Sequence, residues 1–188
     1  NKKNKQTMSA REIIVDIETT GLDFKKGDKI IEVACVELIN HVETENYLQF
    51  YCSTNKIISE EAKKVHGLSN DFLNQFPTFA NQVQKFLTFI KNDLLIIHNA
   101  EFDLGFINHE LQQMGLNILQ NESLDTVGLA RKKLKTRLAN LDYLCRRFSI
   151  DLSSRKLHGA LLDCRLLSEV YIELLGGRQT TLELAKKD

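Results

Sequence analysis

Ile13, Val15 and Ile17 alternate with Ile14, Asp16 and Glu18, and β-branched residues at a period of two read as a strand buried on at least one face. Residues 29–38 predict a second strand and residues 47–52 a third, with the polar run 40–46 as the turn between them. Three strands in succession imply an antiparallel meander. Helical spacing then takes over. Residues 59–66 predict a short helix stopped by Gly67, and Ser69 caps another. Pro77 and Thr78 open a longer helix whose Phe79, Val83, Phe86, Leu87 and Ile90 form one apolar stripe, ending at Asn92 and Asp93. Residues 94–97 predict a strand, followed by a helix capped by Asn99 that runs to about Gly115. A further strand at 123–126 leads into a helix from Val127. Asn140 caps a helix with Leu141, Leu144, Cys145 and Phe148 inward, and a last long helix opens within 157–163 and ends at Leu175. The expected class is α/β, with a polar lead-in over 1–10, one folded domain over 11–177 and a tail over 178–188.

A chain of 188 residues sustains one domain with a real core rather than two. The 25 basic and 25 acidic residues cancel, which argues against a protein that coats nucleic acid by charge alone. No apolar run approaches the length needed to span a bilayer, and the first ten residues lack the apolar stretch of a signal peptide, so a cytoplasmic location without membrane partners is expected. Cys35, Cys52, Cys145 and Cys164 are widely spaced and form no Cys-x-x-Cys pair, as befits buried free thiols. The basic residues Arg131, Lys132, Lys133, Lys135 and Arg137 crowd a predicted helix C-terminus. A solvated face complementing the helix dipole is the simpler reading, and contact with phosphates the other.

Three stretches carry chemistry. Asp16 and Glu18 lie two residues apart on a hydrophobic strand and point the same way, where they repel each other and lose hydration unless a cation or shared proton compensates. Alone, such a pair is more often two solvated acids at a sheet edge. Asp103 falls on one helical face with Ile107, Leu111 and Met114, so it is aimed at the sheet. Asp163 likewise heads a face shared with Leu167, Val170 and Leu174. His158 sits five residues upstream, with Gly159 giving the backbone freedom to turn it inward. His98 reads as a hydrogen-bonded histidine at a strand end. Several acids converging on one interior without cations would cost several kcal/mol, which points to a metal site.

The ordered set Asp16-Ile17-Glu18-Thr19-Thr20-Gly21, then His98-Asn99-Ala100 with Phe102-Asp103, then His158-Gly159-Ala160 with Asp163, resembles the DEDDh family of 3′–5′ exonucleases. Within that family it is similar to the epsilon proofreading subunits of bacterial DNA polymerase III. The likeness runs from about Arg11 to Gly177 and includes Val65-His66-Gly67. It implies an RNase-H-like fold, with a five-stranded mixed sheet flanked by helices. It implies two Mg²⁺ or Mn²⁺ ions held by Asp16, Glu18, Asp103 and Asp163, and His158 as the base that takes a proton from the attacking water. Glu61, His66, Phe102 and Thr19 match positions near the terminal nucleotide, whereas Lys63 and Lys64 depart from the family's smaller or apolar residues. The implied substrate is a single-stranded or frayed 3′ DNA end, and the implied polymerase partner is the DNA polymerase III alpha subunit, placing the protein with the replisome at the nucleoid. Gln179, Leu182 and Leu184 resemble a sliding-clamp-binding peptide, against the simpler reading of a polar tail. A related exoribonuclease, or a non-catalytic stabilising subunit of a polymerase assembly, is the alternative.

Overall fold

In the computed structural model, which describes residues 10–177, the first three strands are β1 (Arg11–Thr19), β2 (Ile30–Ile39) and β3 (Val42–Tyr51). They form the expected antiparallel meander. The turn between β2 and β3 is shorter than the polar run over 40–46 suggests. Asn40 and His41 alone make it, at φ values of 50° and 63°. Two left-handed residues give a turn whose twist matches that of the flanking strands. Residues 43–46 are polar because β3 is an edge strand whose side chains there face water, so exposure disguised a strand as a loop.

β4 (Leu94–Ile97) pairs parallel with β1, and β5 (Ser123–Asp125) parallel with β4, giving the order β3-β2-β1-β4-β5. Parallel neighbours need crossover connections, which place helices on both faces. On one face α3 (Phe79–Ile90) and α4 (Ala100–Gln113) bury Phe79, Val83, Phe86, Ile90, Phe106, Ile107 and Leu111 against Ile13, Val15 and Ile17. On the other, α5 (Thr126–Leu134), α6 (Leu141–Arg147) and α7 (Ala160–Leu174) cover Ile14, Ala34, Val36 and Leu38. β1 is therefore sandwiched, and its two pleat faces have different tenants: apolar residues toward α3 and α4, Ile14 with the two acids toward α7. Two short helices, α1 (Glu60–His66) and α2 (Asn70–Leu73), close one end around Ile31, Ile58 and Leu73.

Helix starts follow the sequence signals. Ser59, Ser69, Thr78 and Asn140 each accept a backbone N–H from the first turn of their helix. Asn99 is a correction: it stands at the cap position of α4 but makes no capping bond with its side chain, and its backbone is left-handed at φ 65°. The tolerance of asparagine for that conformation is what the turn uses, while its N–H donates to Asp125 Oδ1 at 2.9 Å and ties β4 to β5. All four cysteines are free and buried. Among the described residues, no helix is long and apolar enough to cross a membrane.

Gly67 ends α1 at φ 72°, and a Cβ added there would lie 2.5 Å from Leu157 Cδ1. We expect Gly67→Ala to lose about 1–2 kcal/mol in urea unfolding, from left-handed strain together with displacement of Leu157. The double variant Gly67→Ala/Leu157→Ala should show less than additive loss, since the second change removes the clash and leaves the backbone strain.

Candidate active site

Asp16 and Glu18 leave β1 on its α7 face, and Asp163 enters from the first turn of α7. One oxygen from each lies within 4.8 Å of the others. The meeting is built by packing: Leu167, Val170 and Leu174 are buried and fix α7 across the sheet. Glu32 fixes its height, because it accepts the Ala160 N–H at 3.0 Å and so fastens the helix N-terminus to β2. Glu32 stands opposite Glu18 in the β1–β2 register and also receives Gln49 Nε2 at 2.8 Å. Asp103, in the first turn of α4, is buried. It lies outside the tight triplet but lines the same cavity, of about 740 Å³, together with His98, Phe102, Arg155 and His158. The cavity opens at the carboxyl ends of β1 and β4, the usual place for a site in a sheet with parallel strands.

Burial and mutual repulsion dominate the electrostatics. Burial, then the charges of Glu18 and Asp103, push Asp16 well above the ordinary carboxyl range. Burial, then Asp163 and Glu32, push Glu18 up to about 9. Asp103 also rises through burial, only partly offset by backbone hydrogen bonds from Ile17 and from itself. Asp16 Oδ2 and Asp103 Oδ2 are covered and accept no hydrogen bond. Covered lone pairs on two converging carboxylates are costly unless a positive charge compensates them. Oxygen-only donors suit a hard divalent cation such as Mg²⁺ or Mn²⁺ and not a soft one, so the residues present fit such an ion.

Residues 13–171 match the Exonuclease (RNase_T) family model. The chain belongs to this exonuclease family. It is 44% identical over 183 residues to the DNA polymerase III subunit epsilon of Rickettsia conorii, covering 95% of this chain and 80% of the relative. To the subunit epsilon of Escherichia coli it is 38% identical over 187 residues, covering 95% and 76%. Among solved structures it superposes on the nuclease domain of 3′hExo, a DEDDh family member bound to rAMP, with a TM-score of 0.78 at 19% identity over 90% of this chain and 94% of that one. Exonuclease X in complex with 5′-overhanging duplex DNA gives 0.70 at 21%, over 88% and 91%. These two show the shared RNase-H-like fold.

The remaining expected residues of this exonuclease fall in a second, apolar cavity of about 300 Å³, lined by Thr19, Glu61, His66 and Phe102 with Leu22, Val65 and others. It adjoins the carboxylates, since Ile17, Glu18 and Phe102 line both cavities. Thr19 is buried and donates its hydroxyl to Gly21 O at 2.6 Å. His66 receives the Leu68 N–H on Nδ1 at 3.0 Å, so its proton sits on Nε2, 3.1 Å from Thr19 O. Burial lowers its pKa in keeping with that neutral form. His158 is held by its backbone N–H, which donates to Val65 O at 2.8 Å. Burial first and Arg155 second lower its pKa, leaving a neutral imidazole at the cavity wall. Gly159 is extended, at φ −102°, with open space around it, so nothing in the backbone requires glycine there. His98 Nδ1 lies 2.8 Å from Thr126 Oγ1, the hydrogen-bonded strand-end role expected of it. Gln179, Leu182 and Leu184 lie outside the described residues. Among the polar groups in or beside the site that the sequence did not single out are Glu32, Asp142 and Arg155. Glu32 had a signal, an acid inside the apolar run of β2, though Glu37 shares that strand; Arg155 had none beyond lying three residues before His158.

The raised carboxyl values set the pH dependence of stability. A carboxyl group that is harder to ionise when folded leaves the native state holding more protons than the unfolded chain. Stability from this source is complete below the ordinary value of 4.5 and drains away as pH climbs toward about 9, where Glu18 ionises. We expect the Tm in chelator to fall between about pH 6 and about pH 9, and the Tm gain from excess Mg²⁺ to grow over the same interval as ions replace protons. A Tm that neither falls with pH nor responds to Mg²⁺ contradicts the assignment.

Proposed function

We propose that residues 11–177 form a 3′–5′ exodeoxyribonuclease domain that removes mispaired nucleotides from DNA 3′ ends, releasing nucleoside 5′-monophosphates. The observation that carries this reading is one cavity in which carboxylates from β1, α4 and α7 face a neutral histidine, beside an apolar pocket. Kinship with polymerase III epsilon subunits supports DNA as the substrate and replication as the setting.

In this reading Asp16, Glu18, Asp103 and Asp163 would hold two Mg²⁺ or Mn²⁺ ions. Held there, such ions would supply positive charge for the attacking and leaving oxygens of an in-line displacement. His158 accepts the proton of the attacking water, a role suited to an imidazole that is neutral near pH 7. The new P–O bond forms as the bond to the 3′ oxygen of the preceding nucleotide breaks. Phe102 and the apolar pocket receive the terminal nucleotide by packing, which tolerates any base. Glu61, His66 and Thr19 frame that pocket, with His66 spending its Nε2 proton on Thr19 O so that the β1 end keeps its shape. Selectivity for mispairs follows from unpairing: a frayed terminus reaches the pocket at lower cost than a paired one. The alpha subunit of the polymerase is the proposed assembly partner, with a sliding clamp bound through Gln179, Leu182 and Leu184 in the tail.

The test uses 3′-labelled matched and mismatched primer termini, with Mg²⁺ and with chelator, alongside an RNA oligomer of the same sequence. Asp16→Ala and Asp163→Ala should each reduce turnover by at least about 10³-fold, and His158→Gln by roughly 10²–10⁴-fold, with folding intact by circular dichroism. Full activity in either alanine variant, or activity in chelator, overturns the reading. Faster cleavage of RNA than of DNA overturns the substrate.

A further inference from the structure

Among the described residues, Arg155 is the one cationic side chain bonded to the acidic cluster, and it is bonded to the same carboxylate that the metal reading requires. Its Nε donates to Asp163 Oδ1 at 2.8 Å and its Nη2 to Asp163 Oδ2 at 2.9 Å, a two-point fork that covers both oxygens. Its Nη1 donates to Asp142 Oδ1 at 2.5 Å. The two partners differ in kind. The Arg155 side chain is 7% exposed and that of Asp163 9%, whereas that of Asp142 is 41% exposed at the start of α6. The guanidinium thus bridges an inner acid, shared with the metal site, and an outer acid on the cavity rim.

We infer that Arg155 is a displaceable counter-ion: it neutralises Asp163 until a divalent cation takes that carboxylate, then retains Asp142 as its remaining anionic partner. This rests on the metal-site reading above and adds to it a competitor built into the chain. Two physical points support it. A buried guanidinium stripped of every anion is strongly unfavourable, so release from Asp163 is feasible only where a second acid stays within reach, and Asp142 supplies one. A cation already seated on Asp163 also opposes the approach of a second cation to the same oxygens, so its charge works against metal binding. Arg155 lies three residues before His158, whose own N–H is pinned to Val65 O, so a shift of the guanidinium from inner to outer acid can occur without carrying the histidine away.

Removing the guanidinium and removing its outer acid carry opposite predictions for metal affinity. Mn²⁺ binding to the full chain, followed by electron paramagnetic resonance of the free ion at fixed pH and ionic strength, should be about tenfold tighter in Arg155→Gln, because the competitor is gone. It should be several-fold weaker in Asp142→Asn, because leaving Asp163 would then strand the guanidinium. The double variant should resemble Arg155→Gln, since Asp142 acts only through the arginine. Thermal unfolding supplies the second readout: Arg155→Gln should lower Tm more in chelator than in saturating Mn²⁺. Weaker or unchanged Mn²⁺ binding in Arg155→Gln overturns the inference and makes Arg155 a pin for its loop. If Arg155→Gln does not fold, unchanged or tighter binding in Asp142→Asn overturns it alone. Wild-type protein that binds no Mn²⁺ overturns this inference and the metal-site reading together, whereas wild-type binding with the wrong order of variants overturns this inference only.

Discussion

Repulsion among buried carboxylates is the constraint from which the rest of this structure follows. Asp16, Glu18, Glu32, Asp103 and Asp163 stand close enough that each raises the cost of ionising a neighbour, and burial removes the water that would soften it. Such a cluster is held together against its own electrostatics by hydrophobic packing that has no chemical role. Ile13, Val15 and Ile17 anchor one side of β1 under α3 and α4, and Leu167, Val170 and Leu174 anchor α7 on the other side. The apolar layers contribute favourable burial distributed over many side chains, and the strain of the acids is concentrated in a few. The site is a local debt carried by a global surplus, which is the pattern expected of a functional site.

Within that cluster the acids are not equivalent. Glu32 has both carboxylate oxygens engaged, one by the Ala160 N–H and one by Gln49. It acts on the site by setting the position of α7. Asp163 is engaged by Arg155, while Asp16 and Asp103 each keep a covered oxygen with no donor. The unsatisfied atoms therefore sit on the acids from β1 and α4, and the satisfied ones on those that hold the α7 end. This division separates Asp16 and Asp103, which would gain most from a cation, from Glu32, which holds the framework in which the cation would sit, and from Asp163, which already has a cationic partner in Arg155.

Much of this was legible in the chain because two kinds of pattern agreed. Period-two alternation located β1, and helical stripes headed by Asp103 and Asp163 stated which way those acids face; both are consequences of backbone geometry alone. Caps at Ser69 and Asn140, and helix starts beside Ser59 and Thr78, were legible for the same reason: a hydroxyl or amide next to the first helical turn has few other uses. What escaped was decided by tertiary placement. The polar residues of β3 read as a loop because an edge strand carries water-facing side chains. Asn99 read as a cap because the sequence does not show whether an asparagine will use its side chain or its tolerance of positive φ. Arg155 was invisible because an arginine in a polar loop looks like any surface cation. Only the approach of α6 and α7 gives it two acids to hold.

The balance of charge closes the argument about how a neutral chain engages a polyanion. Charges sum to zero over the whole sequence, yet they are sorted in space: acids gather in the cavity, and Arg131, at the head of the basic run that ends at Arg137, lines the same cavity from its rim. A phosphate approaching an uncompensated acidic cluster would be repelled, and Arg131 does not reach the covered oxygens of Asp16 and Asp103. Attraction and chemistry are thus assigned to different places. Arg131 offers a phosphate one cation at the rim, beside the outer acid Asp142, and the interior becomes hospitable to phosphate only once its own acids are neutralised. Neutralisation by a fixed side chain would fill the cavity permanently, and neutralisation by protons would leave no charge to meet the transition state. A small mobile cation avoids both difficulties, and this links the acid cluster, the neutral total charge and phosphodiester chemistry in one requirement.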